Sequence, residues 1–252
     1  MRTDALQIDR FYQTEQGRAA RAMIVRRLAA LWPDLKTLDV LAMGYGPPLL
    51  EMLETGTRRA VAFMPADQGA IRWPGDAPSR TVLGEDAHLP FRDAMFDRIV
   101  LIHALEESQS PPHMLREIWR ILAPQGRLVL VAPNRAGLWA RMETTPFGHG
   151  RPFSKGQLSR LLTDAALTPT AWARALYAPP WKWSCKGDRA LGWEKTGETI
   201  APHLGGLIMA EAVKNTGALT PRAVRPVRVR LPGLEGRPAT ALSPHKQIAK
   251  ET

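Results

Sequence analysis

The stretch Thr37-Leu38-Asp39-Val40-Leu41-Ala42-Met43-Gly44-Tyr45-Gly46-Pro47-Pro48 decides the fold. Val40 to Met43 is an apolar run of strand length, suited to a strand covered on both faces. Gly44 and Gly46 permit positive φ and leave room for a ligand against bare backbone. Pro47 and Pro48 suit a first helical turn, where a missing N–H does no harm. Leu49, Leu50, Met52 and Leu53 then continue apolar at helical spacing. Strand, glycine turn and helix in that order cradle nucleotide-like ligands in α/β folds. The same turn equally serves as a tight connection with no ligand, so the flanking sequence has to decide.

Upstream, Ile8, Phe11, Tyr12, Ala19, Ala22, Met23, Val25 and Leu28 recur at helical intervals over residues 4–31, with a break expected at Gly17. Arg18, Arg21, Arg26 and Arg27 read as a solvated face of that helix. Downstream, residues 59–64, 80–83, 97–102 and 127–132 read as four further strands. A short helix is expected at 65–71, and another opens at Pro111-Pro112 with Ser110 as its N-cap. Strands alternating with helices argue a doubly wound, mostly parallel α/β sheet. After Pro133 a long aromatic and glycine-bearing loop, 134–153, precedes a helix from Ser154, an antiparallel strand at 168–177 and a last strand at 205–213. The resulting division is a helical cap (1–36), an α/β domain (37–213, with a Trp-rich insertion at 179–204) and an extended basic tail (214–252).

Forty-four per cent hydrophobic and 23% charged residues over 252 positions describe an ordinary globular chain with enough length for a sizeable core. No apolar run approaches a membrane span, and the opening residues lack a signal-peptide core. One cysteine, Cys185, excludes an internal disulfide framework and fits a reducing cytoplasm. The six histidines lack neighbours at ligand spacing, so no metal site is expected. A net charge of +10 is compatible with a nucleic-acid partner, but charge alone supports one.

Three segments carry a resemblance. They are Asp86-Ala87-x-x-Pro90-Phe91, Phe96-Asp97-x-Ile99-Val100, and Leu115-Arg116-Glu117-Ile118-x-Arg120-Ile121-Leu122-x-Pro124-x-Gly126-Arg127-Leu128. In order and spacing they resemble class I S-adenosylmethionine-dependent methyltransferases of the small-molecule, ubiquinone-biosynthesis type. The resemblance implies a seven-stranded Rossmann-like sheet with an antiparallel last strand, and S-adenosylmethionine as cofactor. It implies cofactor contacts from Gly44, Tyr45, Gly46, Met64, Asp86, Ala87 and His103, with the Asp86 carboxylate accepting from the adenine amino group. Asp86 as a simple turn cap is the plainer alternative. Glu106 and Glu107 read as solvated loop charges, and Arg116, Glu117 and Arg120 as an ion-pair face.

Departures from the family pattern stand at Ala42, where an acid is usual, at Pro48, where a third glycine is usual, and at Met64, where a ribose-binding acid is usual. Asp67, three residues on, is a substitute only if it curls back toward the strand end. On the acceptor side the candidates are His149 as a general base, Arg151 for an anionic group, and Asn134 and Arg135 at the end of the fifth strand. A packed lid anchored by Phe147 and Phe153 is the structural alternative. Three functions follow: methyl transfer to a small-molecule acceptor, a methyltransferase-like protein that has lost catalysis and binds a partner, and an RNA methyltransferase. The Trp-rich insertion is the expected protein-partner surface.

Overall fold

The computed structural model describes residues 2–216 apart from 182 and 188. The basic tail from residue 217 onward lies outside the described residues. Seven strands form one sheet in the order β3-β2-β1-β4-β5-β7-β6. They are β1 (Asp39–Gly44), β2 (Arg59–Pro65), β3 (Thr81–Gly84), β4 (Phe96–Ile102), β5 (Leu122–Pro133), β6 (Leu167–Ala175) and β7 (Leu207–Lys214). The first five run parallel, and β7 lies antiparallel to both β5 and β6. Order reverses between β1 and β4, the switch point at which open α/β sheets hold their ligands.

Every residue of β1 is buried, as its continuous apolar run requires. Val40 and Ala42 enter the core on one face, Leu41 and Met43 the core on the other. The first face is covered by α1 (Ala5–Gln13), α2 (Glu15–Leu31) and α3 (Pro47–Leu53). The second is covered by α4 (Pro111–Ile121) and α5 (Lys155–Asp164). A sixth helix, α6 (Arg189–Ile200), lies in the insertion.

The α1–α2 break falls at Thr14, not at Gly17. Thr14 caps α2 through its side chain, which accepts from Gly17 N at 3.0 Å. Gly17 is glycine for another reason: a Cβ there would stand 2.0 Å from the carbonyl oxygen of Phe11. Arg27 is not a solvated charge, since its guanidinium grips Glu198 of α6 through two 2.7 Å bonds. No helix forms at 65–71. Residues 66–68 make only a turn, and beyond it the Met64 sulfur of β2 accepts from Ile71 N (3.4 Å) while the Thr81 hydroxyl of β3 donates to Ile71 O (2.9 Å), which ties the segment back to both strands.

The expected Glu117–Arg120 ion pair does more than decorate a helix face. Arg120 donates to both Glu117 oxygens (2.9 and 2.7 Å), to Asp93 (2.8 Å), and to the carbonyls of Leu89 (2.9 Å) and Phe91 (2.8 Å). It thereby locks the loop after β3 onto α4, and the guanidinium holds the Glu117 carboxyl below its usual range. Several charge-assisted bonds at a partly buried position make Arg120→Ala a loss of about 2 kcal/mol in chemical denaturation. A loss under ~0.5 kcal/mol would show that the loop is held by its apolar contacts alone.

Candidate functional site

Two carboxylates meet at the carboxyl edge of the sheet. Asp67 stands two residues beyond β2 and Asp86 two residues beyond β3. Both are reached by one guanidinium, that of Arg2. Its Nη2 donates to Asp86 Oδ2, and its Nε lies 2.8 Å from Asp67 Oδ1. That Nε makes no aligned hydrogen bond, so the Asp67 contact is one of charge more than direction. Nη1 donates to the carbonyl of Ala104, two residues beyond β4, at 3.1 Å. Asp86 accepts a second bond from the Ser108 hydroxyl at 3.1 Å.

Neighbouring chain packs closely on the glycine turn between these strand ends. Gly44 has φ +92, and a Cβ there would stand 1.9 Å from the carbonyl oxygen of Ile102. Gly46 has an ordinary φ of −91 and is needed for closeness instead: its Cβ would fall 2.2 Å from that of Ala42. Both glycines are therefore required by the close approach of neighbouring chain. Tyr45 is fully buried, donates to Asp9 of α1 (2.7 Å) and stacks on Tyr12 at 5.9 Å between ring centroids.

His103 follows β4 with φ +50 and is 2% exposed. Its Nε2 is 2.8 Å from the Tyr12 hydroxyl, its Nδ1 is 3.8 Å from Glu106, and its ring lies 4.7 Å from that of Phe147. Burial lowers the His103 pKa to about 3. Burial likewise raises that of Glu106 to about 7. Beyond this cluster a cavity of about 530 Å³ opens between residues 2–7, 106–109 and 149–151, with His149 and Arg151 on its wall. Arg151 N donates to Glu106 O (2.8 Å), so the 134–153 loop is pinned against the segment after β4.

The comparisons with known proteins fit this architecture. A family model described as a methyltransferase domain matches residues 38–130. That segment of the chain is similar to a methyltransferase domain. A probable S-adenosylmethionine-dependent methyltransferase of Mycobacterium tuberculosis is 28% identical over 164 residues, 62% of this chain and 57% of that protein. A demethylmenaquinone methyltransferase of Deinococcus radiodurans is 29% identical over 125 residues, 46% of this chain and 52% of that protein. The chain thus spans little more than half the length of these curated relatives. A solved Thermotoga maritima methyltransferase, described as a possible histamine N-methyltransferase, superposes with a TM-score of 0.55. It covers 82% of this chain and 94% of that one at 15% identity, a likeness of fold.

The sequence candidates divide. Asp86 and half-buried Ala87 sit at the strand-end cleft; His149 and Arg151 sit on the adjoining cavity. Met64 is fully buried with its sulfur bonded to Ile71 N, so it offers the cleft nothing. Asn134 is 4% exposed and spends its amide on the carbonyls of His203 (3.1 Å) and Gly205 (2.7 Å), which makes it a tether and not a substrate contact. Arg135 donates to Pro152 O within the loop itself. Glu106 is buried, not solvated, and Glu107 holds Thr3 through its backbone N–H (2.9 Å) and its hydroxyl. Phe147 does anchor the loop, packed between Phe11, His103 and Trp139. In the insertion, Trp181, Trp183 and Trp193 remain exposed, the first two stacked at 5.9 Å. Three participants were not among the sequence candidates: Arg2, Tyr12 and Glu106.

Proposed function

We propose that this chain transfers the methyl group of S-adenosylmethionine to a small-molecule acceptor. The observation that carries the reading is the convergence of Asp67 and Asp86 on a single group at the ends of β2 and β3. Two acidic acceptors within reach of one ligand suit the two halves of an adenosine: Asp86 for the adenine amino group, Asp67 for the ribose hydroxyls. Asp67 then supplies the carboxylate that Met64 lacks. When bound, the cofactor brings an electrophilic methyl group on its sulfonium. The chain's own part is to align an acceptor and take its proton. The cavity bordered by His149, Arg151 and Glu106 has the size of a small-molecule site. His149, half-buried on its wall, is the base in this reading, and Arg151 holds a negative group of the acceptor. The Deinococcus relative, named for demethylmenaquinone, also favours a small acceptor. The single cysteine, Cys185, buried in the fold, suits a cytoplasmic enzyme.

Calorimetric titration with S-adenosylmethionine and S-adenosylhomocysteine tests the proposal, and no heat at millimolar ligand would sink it. Asp86→Ala is expected to weaken S-adenosylhomocysteine binding about ten- to a hundredfold, the worth of a charge-assisted hydrogen bond. Unchanged affinity would remove Asp86 from the site. The tight filling around Gly44, Tyr45 and Gly46 favours a second reading, a methyltransferase-like protein without catalysis. A crystal structure with S-adenosylhomocysteine in the cleft would dispose of it.

A further inference from the structure

Residues 2–5 run across the carboxyl edge of the sheet like a strap. One end is fixed to the segment after β4, where the Thr3 backbone N–H donates to Glu107 Oε2 at 2.9 Å. The other is fixed to the turn after β2, where Ala5 N donates to Gln68 O at 2.9 Å. Between them the Arg2 side chain, 2% exposed, reaches Asp67, Asp86 and the carbonyl of Ala104. Because β1 lies between β2 and β4, a group spanning those three acceptors lies over the end of β1, at the switch point itself. The helix that follows is held there by Asp9 on the Tyr45 hydroxyl and by Tyr12 on His103.

We infer that residues 2–5 are an intrasteric plug: Arg2 occupies the place of the adenosine, and the cofactor binds by displacing it. The inference rests on the methyltransferase reading above, since it takes Asp67 and Asp86 as the adenosine acceptors. The Arg2 guanidinium stands against Asp67 Oδ1 and takes Asp86 Oδ2, so it fills the space between the two carboxylates that an adenosine bonded to both would need. The strap is also held at a cost. Gln68, 1% exposed in the turn to which Ala5 is bonded, has neither its amide nitrogen nor its amide oxygen matched by a partner. An unmatched buried amide disfavours the closed arrangement and makes displacement by a ligand with its own donors feasible. Binding is then a competition between two sets of donors for the same carboxylates, with apparent affinity reduced by the fraction of molecules that are plugged.

The test compares S-adenosylhomocysteine affinity of the full chain with that of Arg2→Ala and Thr3→Val, alongside hydrogen exchange of residues 2–13 with and without ligand. Arg2→Ala is expected to bind about tenfold more tightly and Thr3→Val about threefold. In the unaltered chain, ligand should raise exchange across residues 2–13. Circular dichroism checks the fold, and Thr3→Val carries the test if Arg2→Ala does not fold. Equal or weaker affinity in the folded variants, with binding by the unaltered chain intact, overturns the plug and leaves the methyltransferase reading standing. Binding by none of the three chains overturns both.

Discussion

Replacing Gly44 with alanine is expected to lower the unfolding free energy by about 4 kcal/mol, from strain and overpacking together. Gly44 sits at φ +92, which an L side chain rarely adopts. The new methyl group would also meet the Ile102 carbonyl oxygen at 1.9 Å and the Ala104 methyl at 2.8 Å. Neither neighbour is free to move. Ile102 is paired with Gly44 in the β1–β4 ladder, and its carbonyl also accepts from Tyr45 N at 3.0 Å. Relief of the clash must therefore open the central strand pair of the sheet. Urea denaturation followed by tryptophan fluorescence reads the loss, with Gly75→Ala as the control. Gly75 is exposed, has no heavy atom within 4 Å of an added Cβ, and should change stability by less than ~0.5 kcal/mol. A Gly44→Ala loss under ~1 kcal/mol would mean that the turn adapts, and would refute the account of its packing. At Gly46 the nearest obstacle is the Ala42 methyl at 2.2 Å, with the Ala42 backbone at 3.3 Å behind it, so Ala42→Gly should recover part of what Gly46→Ala removes.

That turn also shows how far the sequence could be read. Its strand, its helix start and its place in the sheet follow from local facts: an apolar run, two glycines and two prolines. What the glycines are for does not. They make the turn possible by admitting Ile102 O and Ala42, contacts that only the folded sheet reveals. The missing helix at 65–71 has a similar cause, because the Met64 sulfur of β2 and the Thr81 hydroxyl of β3 hold the end of that segment and nothing within it announces this. On the site side, Asp86 was legible because its flanking residues form a recognisable motif. Arg2 was not, for its partners Asp86 and Ala104 stand 84 and 102 residues away and an arginine beside the start of a helix carries no pattern. Glu106 read as a loop charge for the same reason. Its burial depends on the lid returning to it, with Gly150 at φ +73 pressed against the Glu106 carbonyl and Arg151 N bonded to it.

The His103–Glu106 pair gives the chain an acid limit of its own. Both groups are 2% exposed and 3.8 Å apart at the nearest atoms. Tyr12 faces the imidazole from α1, Glu107 and Arg2 act on Glu106 from nearby, and burial is the leading cause of both shifts. For His103 the folded pKa is about 3, against an ordinary value of 6.5. Protons therefore bind the unfolded chain first, and the group stabilises the fold fully above pH ~6.5 and progressively less below it. For Glu106 the folded pKa is about 7 against 4.5, so its contribution has the opposite slope, falling as pH rises from 4.5 to 7. Between about pH 4.5 and 6.5 the two slopes cancel, and the pair carries one proton in either state. Below pH 4.5 only the His103 slope remains. Stability should be nearly flat over the middle range and fall by roughly 2 kcal/mol between pH 4.5 and pH 3, at the limiting slope of one proton. His103→Asn tolerates the positive φ and removes the titrating ring. In that variant the acid limb assigned to this pair should vanish, and stability should decline from pH 4.5 to 7 by as much as roughly 3 kcal/mol with the Glu106 slope exposed. Urea midpoints measured at half-unit steps of pH decide the matter. An unaltered acid limb in His103→Asn would place the controlling proton elsewhere in the fold.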